Sequence, residues 1–184
     1  ARALRAPLDV FVVRKLGGAV VEAYPDVTHF ALSPDRKHFA FVFKDATCRV
    51  YAVSPEGIQE RFTLPKPEGR TNAFAPSFSY TGRMATTGMD DKRSWGHVWD
   101  VRDEPRKPIW TGEYGVHLTG DGTHFVTGGN DEFLVWPVVE NSQPVRSPKM
   151  PGSYTAFGSP AVGTVLVTTQ GGILRVWNIE KGLL

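Results

Sequence analysis

The side chains most able to do chemistry in this sequence are five histidines and a single cysteine. The histidines are His29, His38, His97, His117 and His124. None of them has the spacing of a His-Glu-x-x-His zinc motif, and one cysteine cannot form a zinc knuckle. Cys48 falls inside a strand pattern, so it is interpreted as a small core residue. The sequence therefore predicts no metal site and no cofactor.

Motifs for nucleophilic catalysis, phosphate binding and dinucleotide binding are missing from the chain. Gly128-Gly129-Asn130-Asp131 resembles a fragment of a calcium loop, but the alternating acidic ligands and the distant Glu are lacking. Gly and Asn tolerate positive φ, which favours a β-turn there. We expect no enzyme activity. A catalytic site assembled from distant parts of the chain would leave no local spacing and is the alternative.

Charge and hydropathy exclude two classes of partner. The 21 Lys and Arg are offset by 19 Asp and Glu, which gives a net charge of +2, and the signs are mixed along the chain. A nucleic-acid-binding face needs clustered basic residues, so nucleic acid is not expected. The longest apolar run covers residues 134–139, far short of the roughly 18 residues of a membrane-spanning helix. A cytoplasmic setting is favoured, with the nucleus as the alternative.

A valine followed by an aromatic recurs along the chain. The pairs are Val50-Tyr51, Val98-Trp99, Val135-Trp136 and Val176-Trp177. Their aromatics lie 48, 37 and 41 residues apart, and a weaker copy, Val10-Phe11, lies 40 residues before Tyr51. Intervals of about 40–45 residues are typical of one four-stranded propeller blade.

Within the first interval the order of strands and turns is clear. Val27–Leu32 is a predicted strand, and Ser33-Pro34-Asp35-Arg36-Lys37 has the composition of a turn. Residues 39–43 alternate with apolar residues on both faces, which indicates a strand buried on both sides. Cys48–Val53 and Gln59–Leu64 follow as the third and fourth strands. Helical apolar spacing is missing, so the fold class is all-β.

The same order of signals recurs in the later intervals. Four-stranded units are expected at about residues 27–64, 73–112, 116–146 and 154–179, with a partial unit at 9–24. The whole segment, residues 1–184, is expected to be one domain.

With these features the chain resembles the WD-repeat, or β-transducin-like, propeller family over about residues 9–181. The signature pair of that family stands here as Trp99-Asp100, and its hairpin turn is echoed by Ser33-Pro34-Asp35-Arg36-Lys37. The resemblance implies a β-propeller of four-stranded antiparallel blades. We expect about four blades in an open arc, as a fragment of a longer propeller. A four-bladed ring closed by pairing of Ala19–Tyr24 with Ile173–Ile179 is the alternative.

The resemblance also implies a set of core residues. Tyr51, Trp99, Trp136 and Trp177 should be buried at equivalent places in successive blades. In the family an Asp before the third strand joins a buried polar network with a His and the Trp of the blade. Asp45 is the residue whose position fits that Asp best.

The function that the resemblance implies is a non-catalytic scaffold for protein–protein interaction. The expected partner is a protein or peptide, acidic or phosphorylated, bound on one rim of the blades. The candidate rim residues are Lys66, Arg70, Lys92, Arg93 and Trp95. An ordinary solvated rim, with Trp95 in the core, is the alternative for this surface. For the whole chain the alternatives are a propeller domain of an enzyme and a regulatory module fused to a catalytic domain outside this segment.

Overall fold

The structure is a computed structural model that describes residues 10–14, 20–54, 57–66, 73–89, 93–105, 107–128, 132–149, 156–158, 165–170 and 173–179. Every regular element in these ranges is a β-strand, so the predicted all-β class is confirmed. The strands are β1 (Val10–Arg14), β2 (Val20–Pro25), β3 (Val27–Leu32), β4 (His38–Phe43), β5 (Cys48–Ser54), β6 (Gly57–Leu64), β7 (Ala73–Phe78), β8 (Arg83–Met89), β9 (Ser94–Asp100), β10 (Trp110–Gly112), β11 (Val116–Leu118), β12 (His124–Gly128), β13 (Phe133–Pro137), β14 (Val145–Arg146), β15 (Ala156–Gly158), β16 (Val165–Gln170) and β17 (Ile173–Asn178).

The described strands form antiparallel sheets in which each strand pairs with the next along the chain. Sheet I holds β1 and β2, sheets II, III and IV hold β3–β6, β7–β10 and β11–β14, and sheet V holds β15–β17. The predicted four-stranded antiparallel sheets are therefore present. Within the described ranges β2 pairs with β1 and β17 with β16, so the pairing that would close a four-sheet ring is not found there.

Sheets II, III and IV each open with the same hairpin turn. Its first residue is a buried Ser or Thr whose hydroxyl oxygen accepts a hydrogen bond from the backbone N–H that begins the next strand. These bonds are His38 N to Ser33 Oγ (2.9 Å), Arg83 N to Ser79 Oγ (3.1 Å) and His124 N to Thr119 Oγ1 (3.1 Å). The hydroxyl satisfies a donor that the turn would otherwise bury unpaired.

The fourth position of each turn lies in the left-handed region of φ. Arg36 has φ 62°, Gly82 has φ 75° and Gly122 has φ 69°. Glycine reaches this region without a steric penalty, whereas a residue with a Cβ is strained there. The turn of sheet II therefore carries backbone strain that the equivalent turns of sheets III and IV avoid.

The core lies between successive sheets and is apolar. The side chains of β4 illustrate this arrangement, because they are buried on both faces of the strand, as the sequence predicts. Phe39 and Phe41 pack with Tyr24 toward sheet I, while Ala40 and Val42 face sheet III. The next interfaces continue the stack: Val50 with Met84 and Trp99, Val98 with Val116 and Phe125, and Val135 with Trp177.

The third strands of sheets III, IV and V each carry a tryptophan bonded to a threonine of the neighbouring strand. The bonds are Trp99 Nε1 to Thr86 Oγ1 (2.9 Å), Trp136 Nε1 to Thr127 Oγ1 (3.0 Å) and Trp177 Nε1 to Thr168 Oγ1 (2.9 Å). In each case the threonine lies two residues beyond the cross-strand partner of the tryptophan. Trp99 and Trp177 are buried and Trp136 is half-buried.

Sheet II fills the same register position with a different pair. Tyr51 is buried, its cross-strand partner is Phe39, and Phe41 lies two residues further on. The Tyr51 ring stacks on Phe39 at 5.0 Å between centroids and meets Phe41 at 5.4 Å. An all-aromatic cluster therefore replaces the tryptophan–threonine pair in this sheet.

Candidate functional site

Two of the predicted rim cations lie at the end of the sheets that holds the link from β6 to β7 and the β8–β9 turn, which we call the link end. Lys66 follows β6, and its Nζ donates to the Asp45 carbonyl oxygen at 2.7 Å. Arg93 precedes β9, and its guanidinium contacts both carboxylate oxygens of Glu113 at 2.8 and 3.0 Å. The carboxylate of Glu113 neutralises Arg93, which reduces its capacity to attract an anionic partner.

Trp95 does not join these two cations. Trp95 is 1% exposed, so its proposed place at the edge of the rim is wrong. It lies in β9, where its ring packs on His97 at 5.0 Å and lines a void of about 20 Å³ against sheet II. Alternation along the strand puts Trp95 on the face that carries Trp99. Arg70 and Lys92 lie outside the described residues.

Asp45 is also not where the resemblance implies. Its carboxylate accepts from Thr47 N at 2.9 Å and Thr47 Oγ1 at 2.7 Å within its own exposed turn. The hydrogen bonds from Thr47 lower the pKa of Asp45 below its usual value. Asp45 therefore stabilises the β4–β5 turn, and the tryptophans of sheets III to V bond instead to a threonine of the neighbouring strand.

A cavity of about 710 Å³ lies between Tyr24 of sheet I and the face of sheet II. The two cationic side chains that line this cavity each lie close to a carboxylate. Lys44 lies 3.3 Å from Asp26, and Arg49 lies 3.6 Å from Glu60 with its guanidinium 4.7 Å from the centre of the Phe43 ring. This cavity therefore offers an incoming anion little uncompensated charge.

A second cavity lies at the opposite end of the sheets, which we call the hairpin end because it carries the first turns of sheets II to IV. It is a cleft of about 340 Å³ between the turn 33–38 of sheet II and the turn 79–82 of sheet III. Arg61 of β6 and the segment Val101–Arg102 after β9 complete its walls. Two neighbouring sheets thus build the cleft jointly.

Arg61 connects the two sides of this cleft. Its Nη1 donates to His38 Nε2 at 3.2 Å within sheet II, and its Nη2 donates to the Arg102 carbonyl oxygen of sheet III at 3.1 Å. No carboxylate of the described residues lies within ion-pair distance of its guanidinium. Arg61 is exposed and keeps further N–H donors for a ligand.

The hydrogen bond from Arg61 fixes the protonation state of His38. An arginine can only donate, so Nε2 of His38 must be the unprotonated nitrogen and the ring proton lies on Nδ1. Nδ1 faces Asp35 Oδ1 at 4.0 Å. Burial lowers the pKa of His38 below its usual value, and the nearby Arg61 and Lys37 lower it further while Asp35 opposes them.

The other charged side chains of the cleft have hydrogen-bond or ion-pair partners within the protein. Arg102 binds the Asp100 carboxylate through its Nε at 2.9 Å and through Nη2, and Arg83 approaches the same carboxylate at 3.5 Å. The Arg102 hydrogen bond lowers the pKa of Asp100. Asp35 accepts from Ser33 Oγ at 2.5 Å, which lowers the pKa of Asp35. Arg61 is therefore the cation of the cleft best placed to bind an anion.

Comparisons with known proteins add no assignment to this geometry. No protein-family model matches the chain, and no curated protein matches it at a significant level. Within the described ranges, no group of three or more His, Cys, Asp or Glu side chains is placed to hold a metal ion. The same ranges contain no helix of the length and apolarity needed to cross a membrane.

The candidate rim predicted from the sequence lies at the link end, and the cleft at the hairpin end was not predicted. His38 and Arg61 are 23 positions apart, and Arg102 belongs to the next sheet. One signal could have found them: the repeated turns at Ser33, Ser79 and Thr119 lie at the same end of neighbouring sheets. Residues close to those turns must therefore meet across a sheet boundary.

Proposed function

We propose that this chain is a segment of a WD-repeat-like β-propeller and serves as a non-catalytic scaffold for protein–protein interaction. The observation that carries the proposal is the stacking of like sheets in chain order, with an aromatic at the same register position of sheets II to V. Sheets II, III and IV each pack against a neighbouring sheet on both faces, which leaves the turns at their two ends as the surface available to partners.

Contacts between neighbouring turns support a surface of fixed shape. Tyr80 N donates to the Gly120 carbonyl at 2.8 Å, and Thr81 Oγ1 donates to the Asp121 carbonyl at 2.8 Å. These bonds join the hairpin turn of sheet III to that of sheet IV. A preorganised surface loses less conformational entropy on binding, which favours partner recognition.

The experiment that tests this function compares the two ends of the sheets. One variant carries Lys66→Glu and Arg93→Glu at the link end, and the other carries Lys37→Glu and Arg61→Glu at the hairpin end. The two variants have equal net charge, so each serves as the control for the other. Proteins captured by the wild-type chain are identified by mass spectrometry, and folding is checked by thermal melting.

We expect one variant to lose a captured protein that the other retains, with both melting like the wild type. Because a scaffold binds through a particular surface, equal capture by both variants and the wild type would contradict the proposal. A purified chain that turns over a substrate would support the enzyme alternative instead.

A further inference from the structure

We propose that the cleft at the hairpin end, between sheets II and III, binds a carboxylate side chain of an acidic peptide segment, with Arg61 as its anchor. This inference rests on the proposed function, since it names the chemistry of the partner. It assigns the site to the end of the sheets opposite the predicted rim.

The anchoring group is held in place before any ligand arrives. The Arg102 carbonyl and His38 Nε2 each accept one N–H of the Arg61 guanidinium, at 3.1 and 3.2 Å. These two bonds restrain a side chain that is otherwise exposed, while its other donors remain available. A planar guanidinium with paired free donors matches the geometry of a carboxylate.

The cleft has the size and the lining residues needed to hold one side chain. Its volume of about 340 Å³ lies at the lower end of the range for ligand pockets, roughly 300–1,000 Å³. Tyr80 is 51% exposed and lines the cleft beside Phe78, so an aromatic wall faces the aliphatic part of an incoming residue. Aromatic and arginine side chains are the groups that most often anchor peptide partners.

The charges around Arg61 favour a monoanion over a phosphate. The Asp35 carboxylate lines the cleft, whereas the Asp100 carboxylate is paired with Arg102 and Arg83. A phosphate group carries about −1.5 to −2 charges at neutral pH and would be repelled by Asp35 more strongly than a monoanion would. A Glu or Asp side chain carries a single negative charge, which Arg61 can balance.

The test is a titration of the full chain, labelled with ¹⁵N, followed by backbone-amide NMR. The probes are the acetylated and amidated peptide Ala-Leu-Glu-Glu-Phe-Ala and its counterpart with both Glu replaced by Gln. We expect the Glu peptide alone to shift the amides of Lys37, His38, Thr81 and Arg102. Arg61→Gln should weaken its binding about tenfold, the effect of losing a hydrogen bond to a charged group.

Arg146→Gln is the matched control, because Arg146 is an exposed arginine of sheet IV paired with Glu132. It removes the same charge away from the cleft, so it should change the affinity less than twofold. Equal binding of the Gln peptide, unchanged affinity in Arg61→Gln, or shifts confined to residues near Lys66 and Arg93 would each overturn the proposal. Failure of the Glu peptide to bind would overturn it as well.

A third peptide, with phosphoserine in place of one Glu, separates the two anions. Tighter binding of the phosphorylated peptide would overturn the assignment to a monoanion. If the Glu peptide does not bind while the hairpin-end variant still loses a captured protein, the scaffold function stands and only the carboxylate assignment fails. Unchanged peptide binding in that variant would overturn the carboxylate assignment, and equal capture by both charge variants and the wild type would contradict the scaffold function as well.

Discussion

Sheets II and III bury the aromatic ring of their third strand with different contacts. Both place a large aromatic at the same position of the third strand and bury it against the neighbouring sheet. In sheet III the indole of Trp99 donates to Thr86, whereas in sheet II the ring of Tyr51 stacks among Phe39 and Phe41. The two partners change together: threonine accompanies tryptophan, and phenylalanine accompanies tyrosine.

The difference shows what this position requires. A buried indole N–H costs free energy unless it finds an acceptor, so a tryptophan there needs a hydroxyl within reach. Thr86, Thr127 and Thr168 supply it at one geometric offset. An aromatic cluster gains its stability from ring packing instead. The shared requirement is therefore a large buried ring, and the hydroxyl is needed only for the indole.

The largest expected effect is from removing the ring. Trp99→Ala should destabilise the chain by about 3–5 kcal/mol, because it leaves a large cavity between sheets II and III. The free energy of unfolding from urea titration measures this loss. Trp110→Ala, on the half-buried outer strand β10, is the control and should cost less. A change below 1 kcal/mol for Trp99→Ala would contradict the shared role of these aromatics.

Removing only the acceptor should have a smaller effect. Thr86→Val keeps the volume of the side chain but leaves the Trp99 N–H buried without its partner, which should cost about 1–3 kcal/mol. Adding Trp99→Phe to Thr86→Val removes the unpaired donor, so the double variant should lose less stability than the sum of the two single variants. Strict additivity in this double-mutant cycle would show that the bond contributes nothing.

The hairpin turns extend the comparison to a second position. At Gly122 a Cβ would lie 2.3 Å from Thr81 Oγ1 in a left-handed conformation, so Gly122→Ala should destabilise by about 1–3 kcal/mol. Arg36 occupies the equivalent position with φ 62°, so Arg36→Gly should leave stability unchanged or raise it by up to about 1 kcal/mol. Thermal melting checks that Gly122→Ala lowers the melting temperature and that Arg36→Gly does not.

The smallest expected effect is the contribution of His38 to the pH dependence of the free energy of unfolding. The His38→Gln variant lacks this contribution. The pKa of His38 is lowered in the folded state, so the unfolded chain binds more protons as pH falls below about 6.5. Stability that His38 contributes at pH 7.5 is then lost as pH falls through its folded pKa.

Urea titrations of the wild type and His38→Gln at pH 7.5 and 5.0 measure this dependence, and the other histidines cancel in the comparison. We expect the wild type to lose more stability than the variant over this interval. The groups that face His38 are Asp35, Lys37 and Arg61, and Asp35 acts in the opposite direction. A larger loss in the variant would contradict the lowered pKa.

Much of the fold was predictable because it depends on local patterns. The period of two in residues 39–43 with apolar side chains on both faces predicts a doubly buried strand, and β4 is one. Ser33-Pro34-Asp35-Arg36-Lys37 predicts a turn for reasons of backbone preference, and the turn is there. The all-β class follows from many such short-range signals.

The site was harder to predict because it depends on contacts between sheets. A period of two says that Trp95 shares a face with Trp99, but it cannot say how far the next sheet extends over that face. Arg61 lies on an exposed outer strand, and its role depends on the carbonyl of Arg102, 41 positions away. Every residue has a backbone carbonyl, so the residue types do not show which carbonyl accepts a hydrogen bond. A contact of this type can be identified only when the packing of the sheets is known.

The tryptophan–threonine bond has a consequence for how such a chain can grow. Each bond lies within one sheet, so sheets III, IV and V each carry their own acceptor for their own indole. A gene duplication that copies one complete unit would therefore add a ring and its hydroxyl together, and would orphan no donor in the units on either side. Gain or loss of whole units is the evolutionary step that this chemistry tolerates, whereas a breakpoint between the two strands of a pair would separate donor from acceptor.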